Sequence, residues 1–247
     1  MTDAIVIGSG PNGLTAAIRL AQAGRSVIVL EAAPQLGGAV RTEPLTLPGF
    51  AHDTFSSVYP AAAASPVFAR LPLAEHGLVW VHPQACMGHP LPDGEAAVLY
   101  QDLDATARSL DIIHPGDGAS WKRFAGRYLD AFAAVRDTML SGFPPVGGAL
   151  RLTARAGPRA MADFARLLAC SAVGLGRRLF AGDGSRAWLY GAAMHGDTPP
   201  GRAGSAIAGF YMNLLGHAVG WPSPRGGAQR LTDALVAIGG SLAKLAS

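Results

Sequence analysis

Apolar and polar positions divide the chain into segments of contrasting period. Ala4-Ile5-Val6-Ile7 is an unbroken apolar run rich in branched side chains, the pattern of a strand buried on both faces of a parallel sheet. After a glycine-rich turn, Leu14, Ile18 and Ala21 recur at helical spacing, and Gly24 is placed to close that helix. Ser26-Val27-Ile28-Val29-Leu30 is a second buried strand, ending on Glu31. Residues 78–81 and 96–99 read as strands separated by the turn signal Pro92-Asp93-Gly94. Helical periods then dominate. Trp121, Phe124, Tyr128, Phe132, Val135 and Met139 fall at steps of three and four, which marks a core stripe or the wall of an apolar tunnel. Gly147-Gly148 and Gly157-Pro158 are expected to be loop breaks. A helical region follows from about residue 203 to 217. Residues 220–227, with two prolines and a glycine pair, read as an irregular loop before a last helix through Leu231, Ala234, Leu235 and Ile238.

The first segments stand in the order strand, glycine turn, helix, strand, acid. That is the βαβ dinucleotide-binding unit, so the fold class is α/β with a Rossmann-like N-terminal unit. Each residue of the turn has a physical role in this reading. Gly8 permits the tight turn, Gly10 lets backbone approach a pyrophosphate, and Gly13 lets the helix pack near the sheet. Pro11 suits the first helical position, because the N–H it lacks would have had no partner there. The remaining N–H groups, Asn12 and Gly13 among them, face the phosphates at the positive helix end. Glu31, 23 residues after Gly8, can accept hydrogen bonds from an adenosine ribose. Ala32 and Ala33 offer no cation for a 2′-phosphate, which argues against NADP. FAD and NAD both use this unit. A glycine pair, Gly37-Gly38, follows six residues after the acid and could bring a second backbone segment beside the diphosphate, with Arg41 adding charge-assisted contacts.

The N-terminal position, the glycine turn, Glu31, the Gly37-Gly38 doublet and the run Gly37-Gly38-Ala39-Val40-Arg41-Thr42-Glu43 before Pro48-Gly49-Phe50 resemble the FAD domain of the phytoene-dehydrogenase-like and amine-oxidase-type flavoproteins. Within that family they resemble the branch that includes pyridine nucleotide-disulphide oxidoreductase domain-containing protein 2. The resemblance implies FAD, with Gly8, Gly10, Pro11, Asn12, Gly13, Glu31, Gly37, Gly38, Arg41 and Thr42 as its binding residues. It also implies an inserted, mostly helical substrate or cap region. Arg225, Gly226 and Gly227, a glycine pair before a helix, are implied to lie near flavin and substrate. The corresponding boundaries are 1–60 for the βαβ unit and glycine-pair loop, 61–218 for the substrate region and 219–247 for a truncated return segment. Relatives carry an Asp-x-Gly-Pro run where this chain has Asp53-Thr54-Phe55-Ser56, so His52 and Asp53 are read as a polar turn. The resemblance covers about the first half of a family member, and the chain is expected to be a fragment, a split gene product or a degenerate copy.

Composition narrows the functional classes. With 49% hydrophobic and 15% charged residues, the chain has ample material for a core. A net charge of +3 is too small to argue for nucleic acid. The surplus is local: Arg151, Arg155, Arg159, Arg166, Arg177, Arg178 and Arg186 stand against Asp163 and Asp183, a net +5 over 151–186. Such a stretch is a solvated face or a weak, salt-sensitive contact with anionic lipid. Cys86 and Cys170 form no paired motif and are expected to be free thiols. A short first apolar run without a basic leader, and no stretch long enough to span a bilayer, point to a cytoplasmic protein, peripheral to the membrane at most. No metal-ligand cluster and no GxSxG elbow are present, so no catalytic side chain is assigned. Gly174-Leu175-Gly176 runs into Arg177-Arg178 rather than a third glycine, so no second dinucleotide domain is expected, and oxygen or a quinone would serve as electron acceptor. Three functions follow: an FAD-dependent oxidoreductase acting on a small apolar or lipid-like substrate, a non-catalytic flavin-binding fragment or subunit, or an NAD-binding Rossmann protein.

Overall fold

The structure, a computed structural model, describes residues 1–140, 144–240 and 244–246. In chain order its elements are β1 (Ala4–Ile7), α1 (Pro11–Gln22), β2 (Val27–Leu30), β3 (Thr42–Glu43), β4 (His52–Asp53), α2 (Pro60–Ala63) and a 3-10 turn at Phe68–Arg70. These are followed by β5 (Trp80–Val81), β6 (Met87–Pro90), β7 (Ala96–Leu99), α3 (Leu103–Ile113), α4 (Asp117–Leu129), α5 (Phe132–Leu140) and α6 (Val146–Ala169). The chain continues through α7 (Ala172–Leu179), α8 (Asp183–Ala193), α9 (Ser205–Val219), β8 (Ser223–Pro224), α10 (Gln229–Gly240) and β9 (Lys244–Ala246). They form two compact units, Met1–His82 with Pro222–Ser247, and Pro83–Trp221.

In the first unit β1, β2 and β9 make a parallel sheet in the order β1-β2-β9, with Ala4 opposite Val27 and Ile28 opposite Lys244. The βαβ reading of the sequence holds, and Gly24, at φ +79°, closes α1 as expected. Burial on both faces does not hold. Ala4 and Val6 pack with Ala17, Val27 and Val29, whereas Ile5 and Ile7 on the other face are 60% and 85% exposed. Strand residues alternate sides, so a helix on one face buries only every second apolar residue.

A second cluster joins Leu14 and Ile18 of α1 to Leu231, Leu235 and Ile238 of α10 and to Leu71, Leu73 and Leu78. This packing draws residues 61–82, placed in the substrate region on sequence grounds, into the first unit. The 220–227 loop is also more regular than its prolines suggest. Ser223 and Pro224 pair antiparallel with Val81 and Trp80, and the Arg225 N–H donates to the Val79 carbonyl at 2.8 Å. Pro224 is tolerated because a two-residue pairing asks little of the donor it lacks. Residues 78–81 are thus joined to this segment, and it is β6 that pairs with β7 across the Pro92-Asp93-Gly94 turn. His52 and Asp53, read as a turn, lie in a strand paired with Glu43 and Thr42.

The second unit is that β6–β7 hairpin with seven helices among the described residues, α3 to α9. The aromatic stripe is core, carried by two helices instead of one. Trp121, Phe124 and Tyr128 lie on α4, and Val135 on α5 is also buried. Trp121 meets Trp188 edge-on at 5.0 Å, and Tyr128 meets Phe210 at 4.9 Å. Aromatic rings prefer such edge contacts to stacked faces. Gly147 and Gly148, expected to break the chain, instead begin α6. A side chain at Gly148 would run into the Thr138 backbone, so glycine lets α5 and α6 cross closely. Gly157, at φ +86°, does interrupt α6, next to Pro158.

His217 is buried in this core. Its Nε2 accepts from Trp121 Nε1 at 2.9 Å, and its Nδ1 lies 3.2 Å from the Gln101 carbonyl, which fixes the proton on Nδ1. Burial pulls the His217 pKa down from 6.5 to about 4. A histidine with a lowered folded pKa binds its proton later than the unfolded chain does. Stability is therefore complete above the unfolded value near 6.5 and is lost as pH falls toward 4. Urea midpoints are expected to drop across that window. His217→Gln should be less stable at neutral pH yet lose this part of the acid sensitivity, and a pH profile parallel to that of the parent would overturn the assignment.

Candidate dinucleotide site

The site is built from the β1–α1 turn, the end of β2 and the loop from residue 35 to 43, all in the first unit. Gly10 is the N-cap of α1 and Pro11 its first residue, so no capping side chain covers the helix start. The N–H groups of the first turn have no partner within a helix, and the helix end carries partial positive charge. Gly13 cannot be replaced there without movement, because a Cβ would collide with the Gly8 carbonyl oxygen. Gly37 and Gly38 both adopt positive φ, at +119° and +58°. A Cβ on Gly38 would lie 3.4 Å from the Gly10 Cα. At Gly10 and Gly38, 28 residues apart, the two glycine segments therefore meet backbone to backbone.

Ser9, a residue not singled out by the sequence reading, fixes this arrangement. Its hydroxyl donates to Glu31 Oε2 at 2.6 Å and accepts from the Gly37 N–H at 3.1 Å. Its own N–H reaches the same carboxylate oxygen at 2.8 Å, while Glu31 Oε1 accepts from the Ala33 N–H at 2.9 Å. Ser9 is fully buried between two glycines that attract attention for their own reasons. A serine inside the fingerprint, 22 residues before the strand-end acid, is the only signal that could have found it.

These bonds hold the Glu31 pKa down at about 2, with the Ser9 hydroxyl the largest cause, then the Ala33 and Ser9 N–H groups. Glu31 is thus ionised at neutral pH; Oε2 already accepts two hydrogen bonds, so it is Oε1, which accepts one, that keeps a lone pair for a further donor. Arg41 is half-buried, 3.9 Å from Glu43 and 5.5 Å above the Phe55 ring, and its buried Nε has no hydrogen-bond partner among the described residues. The Thr42 hydroxyl, by contrast, is used inside the protein. It donates to Asp53 Oδ1 at 2.6 Å and accepts from the Gln229 N–H at 3.0 Å.

Residues 225–227 meet this region at one point. Gly227 lies against Thr42 and Asp53, and Asp53 Oδ1 also accepts from the Ala228 N–H at 2.8 Å. Arg225 is on the surface. The start of α10 therefore braces the glycine-pair loop, helped by Gln35 Nε2 donating to Gln229 Oε1 at 2.8 Å and by the Thr232 hydroxyl donating to the Val40 carbonyl at 2.8 Å. Among the described residues no group of three or more His, Cys, Asp or Glu could hold a metal ion. His89 and His195 lie near each other in the second unit, where His195 packs edge-on against Trp221 at 5.0 Å.

Residues 6–71 match the NAD(P)-binding Rossmann-like domain family. One of the subunits of the limonene dehydrogenase of Castellaniella defragrans is 34% identical over 128 residues, 52% of this chain and 22% of that protein. Hydroxyneurosporene desaturase of Rhodobacter capsulatus is 35% identical over 127 residues, 50% of this chain and 25% of that protein. Cyclohexylamine oxidase from Brevibacterium oxydans shares the fold at a TM-score of 0.54 and 19% identity, covering 99% of this chain and 51% of that one. A Rab GDI from Plasmodium falciparum does so at 0.57 and 11%, covering 99% and 57%. The chain spans about a quarter of the length of these curated relatives and about half that of these solved structures. The N-terminal region thus matches a Rossmann-like domain family, the sequence resemblance to desaturase proteins holds over half of the chain, and the likeness to amine oxidases is one of fold.

Glu31, with its lowered pKa, adds stability above its unfolded value of 4.5 that is lost as pH falls toward 2. Ser9→Ala is expected to move the Glu31 titration up toward the ordinary carboxylate range, read by NMR of the side-chain carboxyl carbon. An unchanged titration would show that the backbone N–H groups suffice without the hydroxyl.

Proposed function

We propose that this chain binds FAD and belongs to an oxidoreductase that takes hydride from a small apolar or lipid-like substrate. The observation that carries the reading is the seat of Gly38 on Gly10, with Ser9 holding Glu31 and Gly37 beside it. Backbone meeting backbone leaves room where a diphosphate would lie at the start of α1. Glu31 would accept from the adenosine ribose, and Ala32 and Ala33 provide no cation for a 2′-phosphate. The Nε of Arg41, 3.9 Å from Glu43 but without a hydrogen bond among the described residues, is a donor of the kind a phosphate oxygen satisfies. Thr42 and residues 225–227 would act by holding the loop, through Asp53 and Gln229.

Bound FAD supplies the hydride-accepting chemistry, and the protein supplies position, charge and exclusion of water. The substrate would lose a hydride from a C–H bond, in an amine the one beside nitrogen, and a proton from the neighbouring atom, and the electron pair would pass on to oxygen or a quinone. The names of the sequence relatives, a limonene dehydrogenase and a hydroxyneurosporene desaturase, support a largely hydrocarbon substrate. We assign the substrate role to the helical unit.

A second reading is favoured by the open sheet face. With Ile5 and Ile7 so exposed, a flavin-binding subunit that works only with a complementary polypeptide accounts for apolar surface that the catalytic reading leaves uncovered.

Peripheral membrane contact through 151–186 is also part of the proposal. Arg151, Arg166 and Arg186 each have an aspartate partner, which trims the local charge. Arg155, Arg159 and Arg177 have none among the described residues, and Leu150 and Leu168 are 66% and 52% exposed on the same helix as Arg155 and Arg159. No helix among the described residues is long and apolar enough to cross a membrane.

The visible spectrum of the purified chain and the identity of whatever denaturation releases are the test. Stoichiometric FAD is expected, and NAD, or no uptake of added FAD, would overturn the reading. Glu31→Gln should weaken FAD binding roughly 10- to 100-fold, the scale of hydrogen bonds to a charged group. FAD without turnover of any apolar donor would favour the second reading. For the membrane, flotation with anionic vesicles should be weak at low salt and vanish near about 0.5 M, where charges are screened. Replacing Arg155, Arg159 and Arg177 by Gln should abolish it, and unchanged flotation would exclude this stretch.

A further inference from the structure

The helical unit carries a cleft that the flavin reading does not use. It has a volume of about 330 Å³ and is lined by side chains from α4, α6 and α7, among them Ser120, Arg123, Phe124, Arg127, Asp163 and Arg178. Arg123 and Arg127 stand one turn apart on the same face of α4, and Arg178 comes from the last turn of α7. The ring of Phe124, itself a core residue, gathers two of them. The Arg127 Cζ lies 5.4 Å and the Arg178 Cζ 5.9 Å from its centroid. Arg127 has the same distance, 5.4 Å, to the Tyr128 ring. Contact with these rings holds the planar groups; Arg127 already donates through Nε to the Phe124 carbonyl and through one terminal nitrogen to Asp163, which leaves its other terminal nitrogen for a further acceptor.

The charge in this cleft is not balanced from within. Asp163 is the one carboxylate among the lining residues, and it already pairs with Arg127 and with Arg166, each at 3.1 Å. Arg123 and Arg178 have no ion pair among the described residues. A position near the end of α7 explains why Arg178 is tolerated there, since a cation is favoured at a helix C-terminus. It does not explain why two further arginines from another helix line the same cleft. Three guanidinium groups lining one cleft against a single, shared carboxylate leave a net positive charge that matches a tetrahedral oxyanion, which takes several N–H donors at once.

We propose that this cleft binds a phosphate group, with Arg123, Arg127 and Arg178 donating to its oxygens and the Ser120 hydroxyl at its edge. The group belongs to a soluble phosphate ester or to the headgroup of an anionic lipid, two sources with one recognition chemistry. The site is independent of the glycine turn, in the other unit of the chain.

The test uses the full chain with FAD added, so that phosphate at the glycine turn is competed. Inorganic phosphate is expected to raise the melting temperature saturably, whereas chloride at matched ionic strength does not. Arg123→Gln and Arg178→Gln should each weaken phosphate binding about tenfold or more. Arg186→Gln, which removes a surface arginine paired with Asp183, should leave it unchanged. Arg123 and Arg178 are exposed and Arg186 is half-buried, and circular dichroism would confirm that all three variants fold. Vesicles containing phosphatidic acid then separate the sources: capture reversed by phosphate and lost in both cleft variants identifies a headgroup, and saturable phosphate binding without capture identifies a soluble ester. Equal response to phosphate and chloride, or wild-type phosphate binding by both cleft variants, would overturn the proposal.

Discussion

The candidate site hangs on one buried hydroxyl. Ser9 Oγ stands between the glycine turn, the acid at the end of β2 and the first glycine of the pair, and it bonds to the latter two at 2.6 and 3.1 Å. Without it Glu31 would be held by backbone donors alone, and the loop carrying Gly38 would lose its link to the turn. A hydroxyl suits this position because it can donate to a carboxylate and accept from an N–H at the same time. An alanine would fill the space but leave a buried N–H without a partner, which costs more than the bond itself contributes.

A second junction works at longer range. Asp53 Oδ1 gathers the Thr42 hydroxyl and the Ala228 N–H, and Thr42 in turn receives the Gln229 N–H. Residues about 180 positions apart are thereby tied to the loop that carries Arg41. The two junctions share a design. Short polar side chains that accept and donate together place backbone, and the backbone forms the cradle. Packing of α10 on α1 through Leu14, Ile18, Leu235 and Ile238 supplies the apolar support beneath both.

What was legible in the sequence was local. The βαβ unit shows itself because every member lies within 31 residues and carries its own pattern: an apolar run, a glycine turn, a helical face and an acid. The core role of Trp121, Phe124, Tyr128 and Val135 was likewise readable from spacing. Pairings between distant segments were not. Nothing in Trp80-Val81 announces Ser223-Pro224 as partner, and proline argued against a strand there. Gly147-Gly148 looked like a break because glycine has low helical propensity, but close crossing of α5 and α6 outweighs that preference. His217 escaped notice for a related reason: its role needs Trp121 and Gln101, about a hundred residues away. Ile5 and Ile7 misled in the opposite sense, since composition shows that a strand is apolar but not how many of its faces are covered.

The same contrast bears on function. Proteins named as an amine oxidase and as a Rab GDI share this fold, so the fold by itself does not select a chemistry. The glycine turn is also uninformative about its ligand to the extent that it is backbone, because N–H groups at a helix start donate to any suitably placed phosphate. Discrimination falls to the few side chains at its rim. Glu31, ionised and fixed by three donors, would on the proposed reading favour a ribose with free hydroxyls. Ala32 and Ala33 withhold the cation that a 2′-phosphate would require. Arg41, whose buried Nε makes no hydrogen bond among the described residues, would on the same reading favour an anionic group beside the glycine pair. Each of these conditions is weak alone. On the proposed reading, a dinucleotide with an unphosphorylated adenosine ribose and a diphosphate that reaches the second glycine segment would meet all three; FAD and NAD both carry these groups, and the proposal takes FAD.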